Sequence, residues 1–175
     1  TKEFINKNGE FSVNIAMIEK NNSVLGIIYA PAKSLLYFAK KNYGAFKISS
    51  SSLLNNLNDA TSITASNLRI KDDIRIISSR SHSNNYFDSW VKKNFYKYQL
   101  ISKGSSLKFC EIAEGNAEIY PRFGSTSEWD IAAGHIILEE AGGKIIDMNG
   151  NRIFYNTKEN LINSNFIASN GIDLI

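Results

Sequence analysis

The sequence predicts an α/β protein built in layers: an antiparallel meander first, then a mixed or parallel sheet with helices on its faces. Two patterns carry that expectation. Up to Ile48, short apolar and polar alternations are divided by turn residues, the mark of half-buried strands joined as hairpins. From Asp72 onward, strand-like and helix-spaced segments take turns, which argues for strands lying side by side under helices. The composition agrees, since 43% of the 175 residues are apolar and only 2 are proline, enough to bury a core. The division is expected near residues 58–72, with an antiparallel-sheet unit over 1–60 and an α/β unit over 61–175.

Taken in order, Phe11, Val13, Ile15 and Met17 alternate with Ser12, Asn14 and Ala16, as in a strand. Asn21-Asn22 turns into a second strand, Val24 to Tyr29, closed by Pro31. Leu35 to Ala39 makes a third, and Asn42-Tyr43-Gly44 turns into a fourth, Ala45 to Ile48. Ser49 to Asn58, rich in Ser and Asn, reads as a surface loop. Ile74 to Ser78 is a strand, and Asn84 to Asn94 a helix carrying Phe87, Trp90 and Val91. Phe95 to Ser102 is a strand, followed by a helix from Ser105 to Glu114 that Gly115 ends. Ala117 to Tyr120 is a strand, and Asp130 to Ala141 a helix stopped by Gly142-Gly143. Lys144 to Asp147 and Phe166 to Ser169 are strands, and Asn170 to Ile175 reads as the start of one more helix.

The bulk properties narrow the function. A net charge of +3 is mild and scattered; it suits small anions and argues against nucleic acid as a partner. No apolar run reaches the ~18 residues of a membrane span, and TKEFINKNGE lacks the apolar stretch of a signal peptide. Cys110 is the single cysteine, so it forms no internal disulfide and reads as a small buried hydrophobe. A cytoplasmic protein without membrane contact is the expectation.

Ligands of open α/β sheets gather beyond the carboxyl ends of the strands. Those ends are Ser79-Arg80-Ser81-His82, Lys103-Gly104-Ser105 and Pro121 to Trp129, which offer His82, Ser105, Lys108, Arg122 and Asp130 at one edge. Singly, each has an ordinary role: His82 in a solvated loop, Ser105 and Asp130 as helix caps, Lys108 on the surface, Arg122 paired with Glu118 or Glu128. Together they suit an anion. Lys108 in a first helical turn faces a dipole penalty of several tenths of a kcal/mol, at about the scale of other such charges, which a bound anion would offset. The small Ala132, Ala133 and Gly134 behind Asp130 are expected to leave backbone amides open to a phosphate or a metal-bound oxygen.

On these residues the segment WDIAAGHIILEEAGG resembles the C-terminal signature of the magnesium-dependent, lithium-sensitive phosphatase superfamily that includes the inositol monophosphatases. Within it, TKEFINKNGEFSVNIAMIE, SRSH, GSSLKFC and YPRFGSTSEWD are similar to the 3′(2′),5′-bisphosphate nucleotidase branch of the bacterial CysQ type. The branch rests on Thr1-Lys2-Glu3-Phe4, His82 and Arg122. The resemblance implies an inositol-monophosphatase-like sandwich and removal of the 3′-phosphate of adenosine 3′,5′-bisphosphate, giving AMP and phosphate. It implies Mg2+ as cofactor, with Asp130 a metal ligand that also approaches the sugar. Thr1 matches the threonine of the family's Asp-Pro-Leu-Asp-Gly-Thr motif, which orients the attacking water. By the same resemblance Thr1, His82, Ser105, Lys108, Arg122 and Asp130 bind the substrate.

The sequence departs from the family in one respect. The family's glutamate and two aspartates precede the position of Thr1, so most magnesium ligands are expected upstream and this chain alone is expected to be inactive. The helices that flank the antiparallel sheet would be upstream as well, leaving apolar sheet surface for something else to cover. The implied partner is a small-molecule nucleotide; a homodimer and a separate N-terminal segment both stay open. The alternatives are an inositol- or sugar-phosphate monophosphatase of the same superfamily, or a non-catalytic remnant that binds nucleotide.

Overall fold

The amino-terminal alternation forms a five-stranded antiparallel sheet. In the computed structural model, which describes residues 2–49, 51, 56–68, 72–79 and 85–172, a short helix α1 (Lys2–Ile5) precedes β1 (Val13–Glu19). β2 (Asn22–Ala30), β3 (Leu35–Lys40), β4 (Gly44–Ser49) and β5 (Thr61–Ile63) follow, paired in chain order. β1 and β2 pair Glu19 with Asn22, so the turn is Lys20-Asn21 and not Asn21-Asn22. Both turn residues have positive φ, 47° and 64°, which matches the twist of the strands they join. β5 is a strand that the alternation did not mark; it pairs Ile63 with Ala45.

The second sheet is mixed. β6 (Asp72–Ser79), β7 (Lys97–Lys103), β8 (Ile119–Arg122), β10 (Lys144–Asp147) and β12 (Phe166–Ser169) lie in the order β10-β12-β8-β6-β7. β6 runs parallel to β7 and β8, while β12 is antiparallel to β8 and β10. Three helices serve this sheet: α2 (Asn85–Asn94), α3 (Leu107–Ala113) and α4 (Glu128–Glu140). A ribbon of β9 (Thr126–Ser127) and β11 (Ile162–Asn163) stands at the start of α4. Residues 170–172 are not helical, and the rest of the helix expected from Asn170 lies outside the described residues.

α4 is the middle layer. Ile131 to Leu138 are buried, sharing one core with Ile28, Tyr37 and Ala39 of the first sheet and Ile77, Tyr120 and Phe166 of the second. A helix packed from both sides has no polar face in its middle, which explains why Ile131 to Leu138 are apolar apart from His135. The close packing also explains the small residues. A Cβ on Gly26 of β2 would stand 2.5 Å from the Ala133 carbonyl oxygen, and one on Gly134 would stand 2.3 Å from the Phe109 ring of α3. Ser23 donates from its hydroxyl to the Ala132 carbonyl at 2.8 Å. Ala132, Ala133 and Gly134 are therefore spacers between packed elements, and the expectation that they expose amides to a ligand is corrected.

α2 covers the other face of the second sheet, where Phe87 and Val91 pack on Ile74, Ile76, Ile119 and Ile167. The first sheet has an outer face too. Val13, Ile15 and Met17 are 51%, 57% and 57% exposed there. Cys110 is buried in α3, and burial pushes its thiol well above the ordinary value.

Candidate active site

The parallel strands β6, β7 and β8 end together. Ser79 stands opposite Lys103, and pairing of Ile76 with Ile119 brings Arg122 level with Ser79. α2, α3 and α4 follow these strands in the chain, so their amino ends collect at this sheet edge. Of the residues expected at the edge, Thr1 and His82 lie outside the described residues.

Ser105 lies between β7 and α3 in the left-handed region, at φ 52°. It is held there from the first sheet. Ser12 Oγ is 2.5 Å from Ser105 Oγ and 2.7 Å from Ser106 Oγ. Ser106 donates to Asn14 Oδ1 at 2.7 Å, and Glu10 Oε2 accepts from the Gly104 amide at 2.6 Å. Glu10, Ser12 and Asn14 are spaced by two, so one side of an extended segment grips the whole turn. The sequence reading missed this role. Its signal was the polar half of the Phe11–Met17 alternation, which looks like a solvent face.

Lys108 is not a surface charge. It is buried; its Nζ donates to the Ser105 carbonyl at 2.6 Å and lies 5.1 Å from the centre of the Tyr120 ring. Arg122 shares the Tyr120 neighbourhood, where its charge acts on the Tyr120 hydroxyl, and its Nη2 donates to the Ser125 carbonyl at 3.2 Å. Its Nε is buried without a hydrogen-bond partner among the described residues. Neither expected acid neutralises it. Glu118 binds Arg75, accepting from Nε at 3.1 Å and from the backbone amide at 2.8 Å, and Glu128 Oε2 accepts from the Asn156 amide at 2.8 Å. A buried cation with an unused donor is costly unless a ligand completes it.

Asp130 is exposed, and the helix cap is Ser127, not Asp130. As the third helical residue, Asp130 accepts from the Ser127 amide through Oδ2 at 2.9 Å, part of a capping box. Tyr120 joins the group electrostatically. Burial pushes its hydroxyl up to about 12, the Arg122 charge opposes that rise, and the Asp130 charge adds to it. Lys108, with its Nζ on the Ser105 carbonyl, and Arg122 thus share Tyr120 as a neighbour, and the charge of Asp130 reaches the same hydroxyl. Tyr120 was missed because, within a buried strand, it reads as core.

Metal binding meets a shortage. Magnesium prefers near-octahedral oxygen ligands, yet among the described residues no three His, Cys, Asp or Glu side chains converge on one point. Asp130 with one oxygen already accepting from Ser127 does not make such a site. No described helix is long and apolar enough to cross a membrane.

The sequence profile of the inositol monophosphatase family matches residues 1–172. The chain belongs to the inositol monophosphatase family. Its relatives in that family include a 3′(2′),5′-bisphosphate nucleotidase CysQ of Salmonella typhimurium, 39% identical over 174 residues, covering 95% of this chain and 63% of that protein. The CysQ of Buchnera aphidicola is 43% identical over 172 residues, covering 97% of this chain and 60% of its own length. The crystal structure of CysQ from Bacteroides thetaiotaomicron superposes with a TM-score of 0.83 at 37% identity, over 96% of this chain and 65% of that one. An inositol monophosphatase from Anabaena shares the fold, with a TM-score of 0.75 at 23% identity, over 98% of this chain and 66% of that one. The chain spans less than two thirds of the length of the CysQ relatives.

Proposed function

We propose that this chain forms the nucleotide-holding part of a 3′(2′),5′-bisphosphate nucleotidase, a phosphomonoesterase that converts adenosine 3′,5′-bisphosphate to AMP and phosphate. Arg122 carries the reading: a buried guanidinium at a strand end, unpaired with any acid among the described residues and with Nε unsatisfied. A guanidinium grips phosphate through a two-pronged fork. A nucleoside bisphosphate brings a second phosphate for that fork, which an inositol monophosphate does not have. The relatives named CysQ support the same choice.

In this reading Lys108 balances phosphate charge from the first turn of α3, and Ser105 shapes the turn that presents it. Asp130, at the start of α4, accepts from a sugar hydroxyl. His82 and Thr1 complete the substrate contacts. Magnesium, when bound, would supply the charge that stabilises attacking and leaving oxygens. Its remaining ligands are proposed to come from residues outside this sequence, so the chain alone is expected to release no phosphate.

Two measurements test the proposal. In calorimetry, the chain should bind adenosine 3′,5′-bisphosphate more tightly than inositol 1-phosphate; equal or reversed affinities refute the nucleotidase reading. Phosphate release in millimolar magnesium should require both this chain and the upstream segment of a CysQ relative. Turnover by the chain alone that disappears in Asp130→Asn would show that the metal ligands lie within these residues.

A further inference from the structure

Beside Arg122 lies a small cavity at the sheet edge, lined by Ser79, Phe87, Pro121, Arg122 and Phe123. Phe123 of this lining belongs to an aromatic group that none of the roles above employs. Phe123, next to Arg122 in the chain, is buried. Trp90 of α2 meets it at 5.7 Å, and Tyr86 in the first turn of α2 meets it edge to face at 4.6 Å and 83°. Tyr86 is nevertheless 57% exposed.

A ring oriented by a buried neighbour, yet open to solvent, presents an apolar surface with little orientational freedom left to lose on binding. The cavity joins it to Arg122, since Phe123, which touches Tyr86, lines that cavity together with Arg122. We propose that Tyr86 is the platform on which the flat base of the nucleotide lies while Arg122 holds one of its phosphates. Tyr86 then selects nucleotides over sugar and polyol phosphates, which have no π-face to stack. The assignment rests on the nucleotidase reading above and adds to it the residue that recognises the base.

The test compares adenosine 3′,5′-bisphosphate with ribose 3,5-bisphosphate, which lacks the base, in calorimetric titrations of the whole chain. Tyr86→Ala should weaken the adenosine ligand by roughly 5- to 150-fold, the range of base–aromatic stacking, and leave the ribose ligand within about twofold. Tyr86→Phe keeps the π-face and should retain the affinity. Trp129, exposed next to Asp130, is the competing ring, and Trp129→Ala should leave the ratio of the two affinities unchanged. Equal weakening of both ligands in Tyr86→Ala, no weakening of either, or an effect in Trp129→Ala instead would overturn the platform. A wild-type chain that binds both ligands equally would also overturn it while leaving the phosphate site of Arg122 standing. A wild-type chain that binds neither would remove the nucleotidase reading and the platform together.

Discussion

Replacing Arg122 separates a ligand-holding cation from a structural one. Arg122→Met keeps a long side chain in the sheet edge but removes every donor. In the free protein the loss is the long bond to the Ser125 carbonyl, 3.2 Å; such a bond contributes about 0.5–1.5 kcal/mol. Against that, the substitution relieves a buried Nε that has no partner among the described residues, a burden of about 1–3 kcal/mol. The gain equals the loss or slightly exceeds it, so stability in urea should stay within about 1 kcal/mol of wild type. Binding should respond very differently. A charge-assisted contact to phosphate contributes about 1.5–3 kcal/mol, so affinity for adenosine 3′,5′-bisphosphate should fall roughly ten- to hundred-fold. A ligand lacking the 5′-phosphate should lose much less. Urea midpoints and calorimetric affinities on the same preparation give both numbers. A stability loss of several kcal/mol, with equal affinity losses for the two ligands, would show that Arg122 is part of the scaffold and refute the reasoning.

Packing and pH supply further checks. Gly134→Ala should destabilise the chain: Ala gains about 1 kcal/mol of helix propensity, but its Cβ would fall 2.3 Å from the Phe109 ring, and overpacking of a core costs about 1–3 kcal/mol. A raised urea midpoint would show that the α3–α4 contact yields easily. Alkaline pH should destabilise the fold. Tyr120 ionises near 10 when unfolded and near 12 when folded, so above pH 10 the unfolded state binds fewer protons and stability falls, by up to about 1.4 kcal/mol per pH unit for one group. Burial shifts Tyr37, Tyr155 and Cys110 in the same direction, so their contributions to the loss add. Urea midpoints unchanged between pH 9 and 11 would contradict those burials.

Local periodicity determined most elements. The strand Lys144–Asp147, the strand Phe166–Ser169 and the stop at Gly142-Gly143 need only alternation and turn chemistry, because those signals act between near neighbours in the chain. The buried Cys110 and the resemblance carried by Arg122 and the WDIAAGHIILEEAGG segment were legible in the same way. Period alone does not say which face of a strand turns inward. In β1 the apolar Val13, Ile15 and Met17 point outward, while Ser12 and Asn14 turn toward the Gly104–Ser106 loop. That inversion depends on hydrogen-bond partners more than ninety residues away, with separations of 93 and 94 for Ser12. The placement of β12 between β10 and β8, the pairing of Glu118 with Arg75 and the resulting freedom of Arg122 are decisions of the same kind. So is the contact of Gly134 with Phe109, which makes small residues in α4 a packing requirement. Each is settled by which distant group arrives at a given surface, and only the folded chain brings those groups together.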